Sequence, residues 1–282
     1  MKKILVPTDF SPNALRAIHY AVEIAKRNQA SICLVHVTDA LLDNVFPGQE
    51  KITEDYNNTI VEQADINLNN LRNSIQEAEN ITVETQLLNG PIKDSIRLAA
   101  AARQADLVIM GTMGKSGLKE QILGSKTASV ISHSEKPVLA IPLEYEWSTP
   151  VKILLAIKDY SEAETVLQPV MELATIFNAE LQLAIFTDEN RMTAIGYRYD
   201  DEALHLTEEK IKKAHPSLHA RAVHLSGKNF VETLNEYIHA NSIDVVCMIT
   251  HHRNFIDNLF NRSLTKKMAY QSKVPVLAIP AG

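Results

Sequence analysis

Four glycines lie close together in the stretch GTMGKSGLKEQILGS, residues 111 to 125, and glycine lets backbone N–H groups come close to a phosphate. They are Gly111, Gly114, Gly117 and Gly124. The letters GKSG suggest a Walker A loop, which needs four residues between its glycines before the Lys-Ser pair. Here only two residues separate Gly111 from Gly114, and Ile109 occupies the position of the first glycine. The loop is not a Walker loop, but a glycine loop between a strand and a helix still suits a phosphate.

Short apolar runs alternate with helix-period segments along the first half of the chain, which is typical of βαβ units. The pattern predicts strands near 3–8, 31–37, 81–88, 106–111 and 137–141, and helices near 12–28, 52–79, 91–104 and 122–134. Right-handed crossovers make this a doubly wound parallel sheet, which binds ligands beyond the carboxyl ends of its strands at the switch point. Asp9 and the glycine loop both lie at such ends.

The chain repeats itself. EKPVLAIP at 135–142 recurs as KVPVLAIP at 273–280, and at the same offset DLVIM aligns with DVVCM. The opening KILVPTDFS aligns with KILLAIKDYS at a different offset, so the second copy is shorter. We predict two homologous α/β domains in tandem, residues 1–142 and 150–282, each with a doubly wound five-stranded sheet. The linker is LEYEWSTP, and the two PVLAIP strands are expected to pair within the chain.

The composition excludes some classes of protein. With 282 residues, a formal charge of −6 and a pI near 5.9, the chain lacks the basic footprint of a protein that binds nucleic acid or an anionic membrane. No apolar run is long enough to span a bilayer, and we expect a cytoplasmic protein. Cys33 and Cys247 lie in apolar strand-like runs, so buried free thiols are expected, although a disulfide between them is possible in principle.

These motifs resemble the universal stress protein family in its tandem, two-domain form. The family's nucleotide motif is G-x2-G-x9-G-[ST], and Gly111, Gly114, Gly124 and Ser125 match it position by position. VPTDFS resembles the family's first strand with its acidic end, and HVTD at 36–39 resembles the end of the second strand. The resemblance implies the Rossmann-like, adenine nucleotide alpha hydrolase-like fold.

The resemblance also implies a ligand, ATP with or without Mg²⁺, held in the first domain. Asp9 would face the adenine or the ribose, and Val37 would pack on the adenine. The other implied residues form the pocket floor (Pro7, Thr8), precede the loop (Met110), let the backbone approach the phosphates (Gly111, Gly114), and hold the phosphates at the start of the next helix (Gly124, Ser125, Thr127).

Each of these assignments has a purely structural alternative. The glycines would also suit a flexible surface loop. Asp9 would also suit the entry to the first helix, for which Ser11, just before PNALRAI, is the expected N-cap. From its pattern alone, Val37 is a core residue.

The second copy departs from the motif. At the gapless offset its loop has Ile249, His252, Phe255 and Arg262 in place of the four glycines, and only Ser263 persists. Side chains at these positions prevent close backbone approach, so we predict a degenerate domain without ATP. Neighbouring His251 and His252 suggest a metal, but no further ligand follows at suitable spacing, and no metal site is predicted.

Three functions fit the sequence. The favoured one is a regulatory, stress-response protein that binds ATP and has no catalytic residue. The second is a slow ATPase or an adenylate-forming relative, for which the loop supplies a single acid, Glu120. The third is a scaffold for a protein partner that needs no nucleotide. The sequence does not identify that partner, and it leaves homodimerisation open.

Overall fold

The computed structural model describes residues 1–38, 50–112, 125–157, 164–190, 194–250 and 273–281. Strands and helices alternate along the first copy: β1 (Lys3–Pro7), α1 (Pro12–Asn28), β2 (Ser31–Thr38), α2 (Glu50–Glu79), β3 (Val83–Asn89), α3 (Ile92–Ala102), β4 (Leu107–Gly111), α4 (Ser125–His133) and β5 (Val138–Ile141). The second copy follows the same order as far as its fourth strand: β6 (Lys152–Ile157), α5 (Glu164–Phe177), β7 (Glu180–Asp188), α6 (Ala194–Ala214), β8 (Ala220–Gly227), α7 (Phe230–Asn241) and β9 (Val245–Thr250). Its final strand is β10 (Val276–Pro280), and residues 251–272 before it are not described.

The ten described strands belong to one sheet, in the order β3-β2-β1-β4-β5-β10-β9-β6-β7-β8. Within each copy the neighbouring strands are parallel. The order reverses between β1 and β4 in the first copy and between β6 and β9 in the second, which makes each half doubly wound. The predicted α/β fold class is confirmed.

Capping residues in the sequence set both ends of helix α1. Ser11 is its N-cap, and the Ser11 hydroxyl accepts a hydrogen bond from the Ala14 N–H, as expected. Pro12 occupies the first turn, where a missing N–H costs nothing. The helix ends at Gln29, which adopts a left-handed conformation. Because α1 begins directly after β1, its amino end lies at the carboxyl ends of the strands.

The apolar core lies on both faces of the sheet. On the face covered by α1, α2, α5 and α6, one cluster of buried side chains runs without a break through both copies. On the opposite face the described residues form two separate clusters, one under α3 and α4 and one under α7. The shared cluster joins the two halves energetically, because neither half can expose its part of that cluster without losing apolar burial.

The two copies meet at the final strands, which run antiparallel with Leu277 opposite Leu139. The linker covers this junction: the Trp147 ring lies 4.9 Å from the Tyr20 ring of α1 and 6.0 Å from the Phe177 ring of α5. Burial raises the pKa of Tyr20 well above its usual value, so its hydroxyl stays neutral. That hydroxyl has no hydrogen-bond partner among the described residues.

Cys33 and Cys247 are free and buried, as predicted, and no disulfide joins them. Burial raises the pKa of both thiols, which suppresses the reactive thiolate. Among the described helices, none is both long and apolar enough to cross a bilayer.

Candidate functional site

The carboxyl ends of β1 and β4 meet at the point where the strand order of the first copy reverses. Thr8 and Asp9 follow β1 directly, and Gly111 ends β4. Two helices also begin here, because α1 follows β1 and α4 starts at Ser125. This is the position at which open α/β sheets bind ligands.

The turn after β1 is built from the residues expected to touch the ligand. The Thr8 N–H donates to the Val35 carbonyl at 2.8 Å, and the Thr8 hydroxyl accepts from the Phe10 N–H at 3.1 Å. Asp9 Oδ1 accepts from the Ser11 N–H at 3.1 Å. Thr8 is buried, whereas Pro7 and Asp9 are half-buried. Thr8 and Asp9 therefore hold the strand-to-helix turn, and their contact with a ligand remains a prediction.

Phe10 in this turn and His36 on the neighbouring strand β2 were not identified from the sequence. His36 Nδ1 lies 2.7 Å from the Thr8 carbonyl oxygen, which can only accept, so Nδ1 carries the proton. The His36 ring packs on the Phe10 ring at 4.7 Å, and Phe10 has a positive φ of 61°. A bulky residue in this conformation is uncommon and needs support from its surroundings, which His36 provides.

Gly111 brings β4 and α1 into close contact. A Cβ added to Gly111 would lie 2.6 Å from Asn13 Oδ1 and 3.0 Å from the backbone carbonyl carbon of Asn13. Asn13 is 1% exposed, and its side-chain amide donates to the Ile141 carbonyl at 3.1 Å. Gly111 is thus required for helix packing, whatever its part in binding phosphate.

Asn13 was also missed, although the sequence contains a signal for it. It lies on the same helical stripe as Ala17, Tyr20 and Ile24, all of which are buried. A polar residue that continues an apolar stripe must find a partner in the interior, and Asn13 finds one at the end of β5.

Thr127 connects α4 to the same strand end. Its hydroxyl donates to the Gly111 carbonyl at 2.8 Å, and the residue is 3% exposed. Ser125 begins α4, but its side chain is outside the described part, as are Gly114 and Gly124. The structure therefore brings Thr8, Asp9, Gly111 and Thr127 to one end of the sheet and does not describe the rest of the glycine loop.

Val37 and Met110 form part of the apolar cluster under α3 and α4. Met110 is 6% exposed and Val37 is half-buried near the end of β2. The structure therefore supports the alternative in which Val37 packs on the core, and the contact of Val37 with a ligand stays a prediction.

The second copy has the same strand ends without the glycine. Ile249 occupies the position of Gly111 and is buried at 5% exposure. Lys158, His251, His252, Phe255, Arg262 and Ser263 lie outside the described residues.

Together, the fold and the site define a protein of two doubly wound α/β domains with a candidate ligand position at the switch point of the first domain. The chain belongs to the universal stress protein family, whose model matches residues 1–142 and again residues 151–280. Two such domains therefore occur in tandem.

Some relatives match half of the chain, and others match nearly all of it. Universal stress protein MJ0531 of Methanocaldococcus jannaschii is 32% identical over 143 residues, which are 50% of this chain and 81% of the relative. A universal stress protein of Archaeoglobus fulgidus has a similar fold over 99% of this chain and 98% of its own, with a TM-score of 0.76 and 18% identity. A universal stress protein solved in complex with cAMP aligns over 50% of this chain and 96% of its own, with 24% identity and a TM-score of 0.36.

We predict that Gly111→Ala destabilises the protein by about 1–3 kcal/mol through overpacking against Asn13. Asn13→Ala should also destabilise it, because the Ile141 carbonyl loses one donor and keeps the Thr112 N–H. In the double variant the new methyl group faces a shorter side chain. The loss of stability in the double variant should therefore be smaller than the summed losses of the two single variants by about 0.5 kcal/mol or more. Urea unfolding of the four proteins measures this coupling. Strictly additive costs would mean that the contact between Gly111 and Asn13 is unimportant.

Proposed function

We propose that this universal stress protein is a regulatory protein that binds ATP in its first domain, at the ends of β1 and β4. One observation carries the proposal: the amino-terminal turns of two helices both contact Gly111. Asn13, in the first turn of α1, packs against it, and Thr127, in the first turn of α4, bonds to its carbonyl. A helix amino end carries roughly half a positive charge, so two of them at one strand end favour an anion such as a phosphate.

The choice of an adenine nucleotide rests on the family motif formed by Gly111, Gly114, Gly124 and Ser125. Asp9, on the turn beside these residues, is the proposed partner of the adenine or ribose. Val37 is the proposed apolar contact of the base. The ligand in this proposal is ATP, with or without Mg²⁺.

We propose that the second domain does not bind ATP. Ile249, His252, Phe255 and Arg262 stand at the positions of the four glycines, and their side chains block close backbone approach. Basic side chains there still attract small anions, but without a backbone cradle such binding is weak and unspecific. The first domain is therefore the proposed nucleotide-binding domain, and the second is a degenerate copy of it.

The proposed role is regulation rather than turnover, because Glu120 is the only acidic residue in the loop and the Walker spacing is absent. Hydrolysis, where it occurs, should be far slower than the roughly 1 to 1000 per second of ordinary enzymes. Binding of ATP to the folded state stabilises it and shifts its conformational equilibria, which is a physical basis for signalling. Buried free thiols fit the reducing cytoplasm, which is the proposed location.

Calorimetric titration of the intact chain with ATP tests the proposal, with GTP as the matched control ligand. We expect saturable binding of one ATP per chain and weaker binding of GTP. Two equivalent sites would contradict the degenerate second domain. An absence of binding would favour the scaffold, for which the internal hydrogen bonds of Thr8, Asp9 and Thr127 already supply a purely structural role.

A further inference from the structure

Helix α2 is longer than the strands it covers. Its 30 residues correspond to about 45 Å of helix, whereas the 8 residues of β2 span about 26 Å. Among the described side chains of α2, the buried ones are Ala64, Leu68 and Ile75. The part before Ala64 therefore extends past the sheet. It does so at the carboxyl ends of the strands, because a crossover helix runs antiparallel to the strand it follows.

Apolar side chains continue along this extension. Tyr56 is 52% exposed, Val61 is 40% exposed and Ile66 is 45% exposed. Three of the eight exposed large apolar side chains in the described chain thus lie on one short helical segment. Helical periodicity places Ile60 and Val61 on the stripe that continues from Ala64 and Leu68. The stripe that packs on the sheet therefore continues beyond it, where Val61 is exposed.

The same segment is acidic. Residues 54–71 include Glu54, Asp55, Glu62 and Asp65 and contain no lysine, arginine or histidine. Asp65 accepts a hydrogen bond from Asn69, and no ion pair among the described residues involves any of these four carboxylates. Their negative charge is not neutralised within the described chain, so it favours a cationic partner.

We propose that residues 54–66 of α2 are a docking face for a basic amphipathic segment of another protein. Apolar side chains of that segment would pack on Tyr56, Ile60 and Val61, while its lysines and arginines would face the carboxylates. The negative charge of this segment argues against nucleic acid and against an anionic membrane, because both present negatively charged phosphate groups. This inference goes beyond the proposed nucleotide binding and stands without it. The face lies at the same end of the sheet as the candidate site.

Fluorescence polarisation with the intact chain tests the proposal. The probe is a labelled peptide of leucine and lysine at helical spacing, and its control has glutamate in place of lysine. We expect saturable binding of the lysine peptide and at least about tenfold weaker binding of the glutamate peptide. The double variant Tyr56→Ser, Val61→Ser should bind the lysine peptide about tenfold more weakly, because it loses two apolar contacts.

A matched control removes two exposed leucines elsewhere, Leu98→Ser with Leu206→Ser, which are 57% and 56% exposed. This control should bind like the wild type, and circular dichroism should show that both double variants are folded. Equal affinities for the two double variants, equal affinities for the two peptides, or no binding would overturn the proposal. Light scattering measures the oligomeric state of the wild type and of the variant. A wild-type dimer that Tyr56→Ser, Val61→Ser converts to a monomer would show that a second copy of the chain covers this face instead.

Discussion

Gly114→Val should weaken the binding of ATP about a hundredfold. In the family motif the backbone at Gly114 approaches the phosphates, and a branched side chain there keeps the N–H groups away from them. The loss of about two charge-assisted hydrogen bonds, each worth about 1.5 kcal/mol, corresponds to about a hundredfold in affinity. Calorimetric titration of the intact variant with ATP gives the dissociation constant directly.

Gly117→Val is the matched control, because Gly117 lies in the same loop but outside the motif. This variant tests whether any bulky residue in the loop weakens binding. It should keep an affinity within about threefold of the wild type, which is less than 1 kcal/mol. If both valine variants bind ATP as tightly as the wild type does, the glycine loop does not hold the phosphates. If both lose binding equally, the loop matters but the motif spacing does not.

Most of the fold followed from local patterns in the sequence. The expected helix at 12–28 matches α1 (Pro12–Asn28), and the expected strand at 106–111 nearly matches β4 (Leu107–Gly111). These elements were predictable because cap residues and uninterrupted apolar runs act over a few neighbouring residues. The internal repeat predicted the same order of elements in the second half of the chain, and the described elements follow it from β6 to β9.

The contacts within the site did not follow from the sequence, because they join residues far apart in the chain. Asn13 reaches the end of β5, and Thr127 bonds to Gly111. Both contacts depend on how deeply a helix sits on the sheet, and no local pattern sets that depth. The family motif assigned Gly111 only a ligand role, which stays a prediction, and did not predict its packing against Asn13. In the structure the closest neighbour of this glycine is a helix.

The junction between the two copies should control the stability of both. Leu277 of β10 is completely buried and pairs with Leu139 of β5. We expect Leu277→Ala to lower the free energy of unfolding by about 2–5 kcal/mol, because it leaves a cavity in the core shared by the two domains. Urea unfolding of the intact chain measures this loss.

The distinctive effect of Leu277→Ala should appear in the other domain. Opening of the junction exposes the amides of β5 that bond to β10. If the variant lowers the free energy of this opening by at least about 1.4 kcal/mol, hydrogen exchange of these amides should accelerate by about tenfold or more. Leu154→Ala is the matched control, since Leu154 is equally buried but lies on β6, in the separate cluster under α7. It should destabilise the second domain and leave the exchange of β5 nearly unchanged. Equal acceleration in both variants, or none in either, would mean that the antiparallel pair of final strands does not couple the two domains.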